Sequence, residues 1–296
     1  MMEWLWAAYT LVAAAAQTAR NATQRELTAT LGTAGATYVR FLFGIPFGLL
    51  FLALTLTATG APLPRPSLVY WPWVLVGGLS QIAATALMLT AMTGRSFVVV
   101  YAFIKTEPVL VALFGFVLLG DVVTLPMAAA ILTATAGVVA MSLRPGAAEG
   151  RLWPTLLGIT AGGLFGLSAI GYRGAILSLG EFNYVLAASF SVVIGLSIQA
   201  GVMSLYFWLK SPGVIVAVFS TWRPSLFAGF VGALASQFWF LAFAVATAAS
   251  VRTLALVEVL FAQAISTFFF RQRTSAREAL GIVLIIAGVA LLLWVY

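Results

Sequence analysis

The chain has 296 residues, 62% of them hydrophobic and only 8% charged, with a mean hydropathy of +1.09. A soluble domain carries about 25% charged residues, so a soluble globular fold is excluded. The absence of cysteine and histidine removes disulfides, thiolate chemistry, the usual proton shuttle and the commonest metal ligand.

Charges, prolines and glycines cut the sequence into ten apolar spans, at roughly 3–20, 34–57, 70–92, 97–118, 125–143, 153–173, 183–209, 224–248, 252–270 and 277–295. Each approaches the roughly 20 residues that cross a bilayer, and lipid leaves backbone groups no outside partner, so helices are expected. The first span starts at Trp4 and has neither the basic head nor the cleavage site of a signal peptide, so it reads as retained. Arg144 to Arg151 is the most linker-like stretch and divides the spans five and five. An odd number per half turns the second half upside down relative to the first.

Ten loop-assigned basic residues gather on one side (Arg20, Arg25, Arg95, Arg144, Arg151, Lys210, Arg223, Arg271, Arg273 and Arg277) against Arg65, Arg173 and Arg252 on the other. The positive-inside rule then places both termini outside. The net charge of +7 is spread over span ends and not gathered on one patch, which argues against a nucleic-acid partner. Eight of the nine tryptophans lie near span ends, as an interfacial belt requires, and Trp239 is the exception in the middle of span 8.

Taken in chain order, the polar groups inside the spans are few. Span 2 carries Arg40 about two turns in, then Gly44, Pro46 and Gly48. Span 3 carries Gln81 after Ser80, and span 8 carries Gln237 after Ser236 beside Trp239. Those two amides either bond between helices or face a shared cavity. Span 4 holds Tyr101, Lys105, Glu107 and Pro108. Pro108 lacks a backbone donor and clashes four residues back, so it frees the carbonyl of Ile104 beside both charges. Lys105 and Glu107 lie about 200° apart on a helix and require separate partners. Span 6 bears a stripe of Gly158, Gly162 and Gly166, and span 9 carries Glu258. Glu258 and Arg40 read either as a structural ion pair or snorkelling ends, or as functional charges in the membrane.

The chain also repeats itself. Residues 80–143 are echoed by 236–294, and Glu107 through Gly137 maps onto Glu258 through Gly288 at an offset of 151 (258 − 107 and 288 − 137). Pro108 has no counterpart, since Val259 stands in its place. Duplicated, inverted halves with polar groups at mid-span are the pattern of secondary transporters. A hydrolase lacks its nucleophile and base here, and no filter loop marks a channel.

Glu107-Pro108, an apolar run ending Leu119-Gly120-Asp121, and a glycine-centred helix together resemble the EamA repeat of the drug/metabolite transporter superfamily. The second copy departs from the pattern with Glu258-Val259 and with Arg271-Gln272-Arg273 in place of the acidic turn. The resemblance implies an all-α integral membrane protein of ten transmembrane helices, in two inverted five-helix repeats (1–146 and 147–296) around a central cavity. It implies a bacterial inner-membrane exporter working by alternating access, most similar to exporters of aromatic and other neutral amino acids. A broad drug or metabolite exporter is the rival within the superfamily. The expected cavity residues are Lys105, Glu107, Tyr101, Gln81, Gln237, Trp239, Glu258 and Arg40, with Pro108 and Pro46 as kinks. The expectation is a monomer in a lipid bilayer acting on a small-molecule substrate, with no cofactor, no metal and no nucleic acid.

Overall fold

The computed structural model describes residues 4–92, 103–142, 152–180, 183–268 and 275–296. Among them every regular element is a helix: α1 (Leu5–Leu42), α2 (Ile45–Thr59), α3 (Tyr70–Met92), α4 (Glu107–Phe114), α5 (Leu125–Ser142), α6 (Leu152–Leu177), α7 (Tyr184–Lys210), α8 (Pro212–Ser220), α9 (Trp222–Val245), α10 (Ala248–Leu254), α11 (Val257–Phe268) and α12 (Ala276–Val295). A π turn over Gly115–Leu119 extends α4 and ends at Gly120, whose φ of 70° lets the chain turn into Asp121. Seven stretches of the described residues are long and apolar enough to cross a membrane. The spans expected at 3–20, 97–118 and 252–270 are not among them; the described parts of the last two are broken into shorter helices.

Spans 1 and 2 are arranged differently from the sequence expectation. Residues 21–31, read as a loop because of their polar composition, are helical. The break is Gly32, with φ 67° and ψ 171°, a conformation that glycine alone adopts without a Cβ penalty. The Gln24 amide donates to Ala36 O at 3.4 Å and lies 3.5 Å from Thr37 Oγ1. A straight helix would hold residues 24 and 36 about 18 Å apart, so the chain doubles back at Gly32. Farther on, α1 ends at Leu42 and α2 carries Pro46 in its first turn. The carbonyl four residues before Pro46 is that of Leu42, where the proline ring forbids continuation.

Two compact units emerge, and neither coincides with a sequence half. One comprises described residues of 83–170 and 246–296 and contains Glu107 and Glu258; we call it the glutamate unit. The other comprises described residues of 4–82 and 171–245 and contains Arg40 and Arg173; we call it the arginine unit. Both draw on the first and second halves of the sequence.

In the glutamate unit α5 and α12 meet backbone to backbone. A Cβ on Gly137 would lie 2.7 Å from Gly281 O and 2.8 Å from Ile285 N, and a Cβ on Gly288 would lie 2.5 Å from Ala134 N and 2.8 Å from Ala130 O. Adding 151 to 137, 130 and 134 gives 288, 281 and 285, so the contact is reciprocal. In lipid, helices associate through such close dispersion contact at small residues. A capping box starts α12: Ser275 Oγ accepts from Glu278 N at 3.3 Å, and Glu278 Oε2 accepts from Ser275 N at 2.7 Å. Both orphan donors of the helix end are thereby satisfied.

Gly137→Leu and Gly288→Leu each force these backbones apart, at a cost of about 1–3 kcal/mol. Thermal unfolding in detergent is expected to show both variants melting below the wild type. Gly201→Ala, where an added Cβ meets nothing within 4 Å, is expected to melt at or above it. Wild-type melting of both leucine variants would contradict the close α5–α12 contact.

Candidate functional site

The site is built on two interrupted helices of the glutamate unit. In the first, Phe103 and Ile104 are helical, Lys105 and Thr106 form a turn, and α4 restarts at Glu107 with Pro108 in its first turn. Thr106 folds back on Phe103 O through both its backbone N–H (3.1 Å) and its hydroxyl (2.6 Å). In the second, α10 ends at Leu254 and α11 restarts at Val257. There Leu256 N donates to Thr253 O at 3.1 Å, Glu258 N to Ala255 O at 3.0 Å and Val259 N to Leu256 O at 3.0 Å. These i→i+3 bonds tighten the chain into a turn. The two breaks occupy matching registers, since Lys105 plus 151 is Leu256. The second break was not expected from the sequence, where Val259 stands in place of a proline. Proline suffices to break the first helix, while local tightening breaks the second without it.

Each break presents one carboxylate, and each carboxylate takes its cation from the other half of the sequence. Lys105 Nζ pairs with Glu258, and Arg252 Nε lies 3.1 Å from Glu107 Oε1. All four side chains are at most 14% exposed. Lys105 and Glu107 thus do point to separate partners, although Lys105 lies in the turn and Glu107 opens α4. The arrangement crosses: the first half supplies one cation and one carboxylate, and so does the second. The quartet carries no net charge.

The backbone of the first break is seated by the glycine stripe of α6. A Cβ on Gly162 would lie 3.1 Å from Ile104 O, and one on Gly166 would lie 3.1 Å from Val111 Cγ2. Ile104 is itself packed with Leu157 and Ala161 of α6. The glycines allow a helix to press on an opened turn whose carbonyls a larger side chain would collide with.

Arg252 is the functional candidate that the sequence argument missed, having been counted among loop cations. It lies in α10, six residues before Glu258 and at the position matching Tyr101 (252 − 151). Its place inside the duplicated segment was the available signal. Arg173, also counted as a loop residue, is buried in α6 with Nη1 donating to Phe243 O at 2.7 Å. Arg20 likewise lies within α1 and not in a loop.

The remaining expected residues fall elsewhere. Gln81, Gln237, Trp239 and Arg40 belong to the arginine unit. Both amides bond to α7: Gln199 Nε2 donates to Gln81 Oε1 at 2.6 Å, and Gln237 Nε2 donates to Ser189 Oγ at 2.8 Å. Trp239 is 5% exposed, stacks near Phe243 and donates Nε1–H to Gln17 Oε1 at 3.1 Å. These hydrogen bonds run between helices, and Gln237 Oε1 is buried without a hydrogen-bond partner among the described residues. Arg40 is buried beside Gly232. Pro46 and Pro108 both stand in the first turn of a restarted helix. Tyr101 lies outside the described residues.

No family model and no curated protein matches this chain. Among solved structures 27 chains match. One, a protein crystal structure, shares the fold with a TM-score of 0.67 over 98% of this chain and 99% of its own, at 17% identity. The fold is therefore shared across the full length of both.

Lys105→Met leaves the Glu258 carboxylate buried without its cation, and breaking a buried pair in this way costs about 3–5 kcal/mol. Denaturation in detergent is expected to show that loss, and Lys105→Met/Glu258→Gln is expected to recover most of it. A double variant no more stable than the single one would rule out the pairing.

Proposed function

We propose that this chain is a secondary transporter that exports neutral or aromatic amino acids, or related small metabolites, across the bacterial inner membrane by alternating access. In this reading it is an EamA-type member of the drug/metabolite transporter superfamily, with ten transmembrane helices in two inverted repeats around a central cavity. The observation that carries the reading is the crossed neutralisation of Glu107 and Glu258 at matched helix breaks. Buried ion pairs seldom stabilise a fold better than apolar residues of the same size. Ionisable groups inside a membrane therefore point to function by default. Broken helices are the elements from which transporters build their sites, since they free backbone groups at membrane depth.

The quartet also speaks to substrate class. A zwitterion can exchange with it without leaving a charge unbalanced. Its carboxylate takes Lys105 or Arg252 by charge-assisted hydrogen bonds, and its ammonium takes Glu107 or Glu258. A lone lipophilic cation strands one basic side chain, which is why the amino-acid reading is preferred to the broad-exporter one. With no histidine in the chain, any proton coupling falls to the two glutamates. Orientation follows from the basic residues at span ends. Arg173 and Arg252 lie inside helices, so of the three on the sparse side Arg65 alone stays outside one (3 − 2), while Lys210, Arg223 and Arg277 on the other side stand at helix ends. This sharper asymmetry supports outward-facing termini.

Cells expressing the chain are expected to grow in toxic amino-acid analogues at concentrations that arrest control cells, with no gain against lipophilic cationic drugs. Protection against the cations alone would make the broad exporter the correct reading.

A further inference from the structure

The two units treat their buried charges in opposite ways. In the glutamate unit two cations meet two carboxylates. In the arginine unit Arg40 is only 7% exposed, yet its guanidinium makes no hydrogen bond and no ion pair with any described residue. Its Cζ lies 4.3 Å from the centre of the Phe41 ring, a cation–π contact that leaves the N–H hydrogen-bonding capacity unused. Within electrostatic reach is the phenol of Tyr172, a neutral group. The unit's one described acid, Glu26, is exposed.

A second cation converges on the same place. Gly232 of α9 has Arg40 Cγ 2.8 Å from where its Cβ would stand and Arg20 Cδ 3.8 Å away. The reversal at Gly32 explains the convergence, since it folds the segment bearing Arg40 back alongside the segment bearing Arg20. Arg20 is part-buried and donates Nη2–H to Asn21 Oδ1 at 3.2 Å; it is buried Arg40, in a unit with no buried carboxylate among its described residues, that raises the local potential, and burial strengthens its effect on an anion. The planar fork of Arg matches a carboxylate or phosphate with two parallel hydrogen bonds.

From this geometry we infer that Arg40, with Arg20 beside it over Gly232, forms an anion-binding subsite that takes a carboxylate or a phosphate group. Its physiological meaning rests on the transporter reading, in which it offers an acidic ligand group a second holding point besides Lys105 and Arg252; the binding itself does not. The Phe41 ring against Arg40 favours an anion attached to an apolar or aromatic body.

The test uses the full-length chain in detergent and reads binding by calorimetry with four probes: 3-phenylpropionate, its amide 3-phenylpropanamide, phenethylamine and inorganic phosphate. Wild-type protein is expected to bind 3-phenylpropionate at least tenfold more tightly than the amide or the amine, and Arg40→Met is expected to lose that preference while Arg40→Lys keeps part of it. Preference for inorganic phosphate over the carboxylate also upholds the subsite and assigns it to phosphate-bearing ligands. Equal binding of acid, amide and amine by the wild type overturns the inference, and this arm stands even where Arg40→Met does not fold. An unchanged preference in folded Arg40→Met overturns it as well. Amino-acid efflux without any anion preference sinks the subsite and spares the transporter reading; anion preference without efflux does the reverse.

Discussion

Charge buried in so apolar a chain is costly unless something nearby cancels it. The glutamate unit meets this constraint by exchange between halves: Lys105 answers Glu258, and Arg252 answers Glu107. Each half carries one cation and one carboxylate but pairs neither with the other, so each break takes its neutralising partner from the opposite half. The α5–α12 contact works the same way, with Gly137 admitting the backbone of α12 and Gly288 admitting that of α5. Association of the halves is thus fixed by two kinds of reciprocity, one electrostatic and one steric.

The breaks themselves give the charges their position. A continuous helix satisfies its own carbonyls and carries Lys105 and Glu107 on opposite sides of a rigid rod. Interrupting it at Lys105-Thr106 loosens that rod where the charges sit, and the glycines of α6 hold the loosened turn in place. The arginine unit is built on another principle. There amides and hydroxyls knit helices together through α7, and the reversal at Gly32 brings two arginines to one glycine. Among the described residues, a unit with a paired quartet of charges and a unit with buried arginines divide the polar chemistry between them.

Much of this was legible in the sequence, for reasons that are themselves physical. Composition requires helices in lipid, rotation along a helix separates Lys105 from Glu107, and Pro108 marks the first break. The pairing of each glutamate with the opposite half was not legible, because it is decided by tertiary contact. The second break lacked a proline and so lacked a local signal; i→i+3 bonding around Leu256 does the work instead. Residues 21–31 looked like a loop because polar side chains were weighed more heavily than the single glycine able to reverse a helix. Arg173 and Arg252 stood close to expected span ends, where a basic residue ordinarily reaches water, and both are buried instead.

The chain contains no cysteine, so proximity at the crossed pairs can be measured without background. Cysteines introduced by Lys105→Cys and Glu258→Cys, treated with a short bismaleimide and followed by cleavage at a protease site placed within 143–151, report whether the two positions face each other. Crossed neutralisation predicts that the halves stay covalently joined after cleavage, and that a control pair at Lys105 and Arg277 does not join them. Halves that separate cleanly in the 105–258 variant would contradict it.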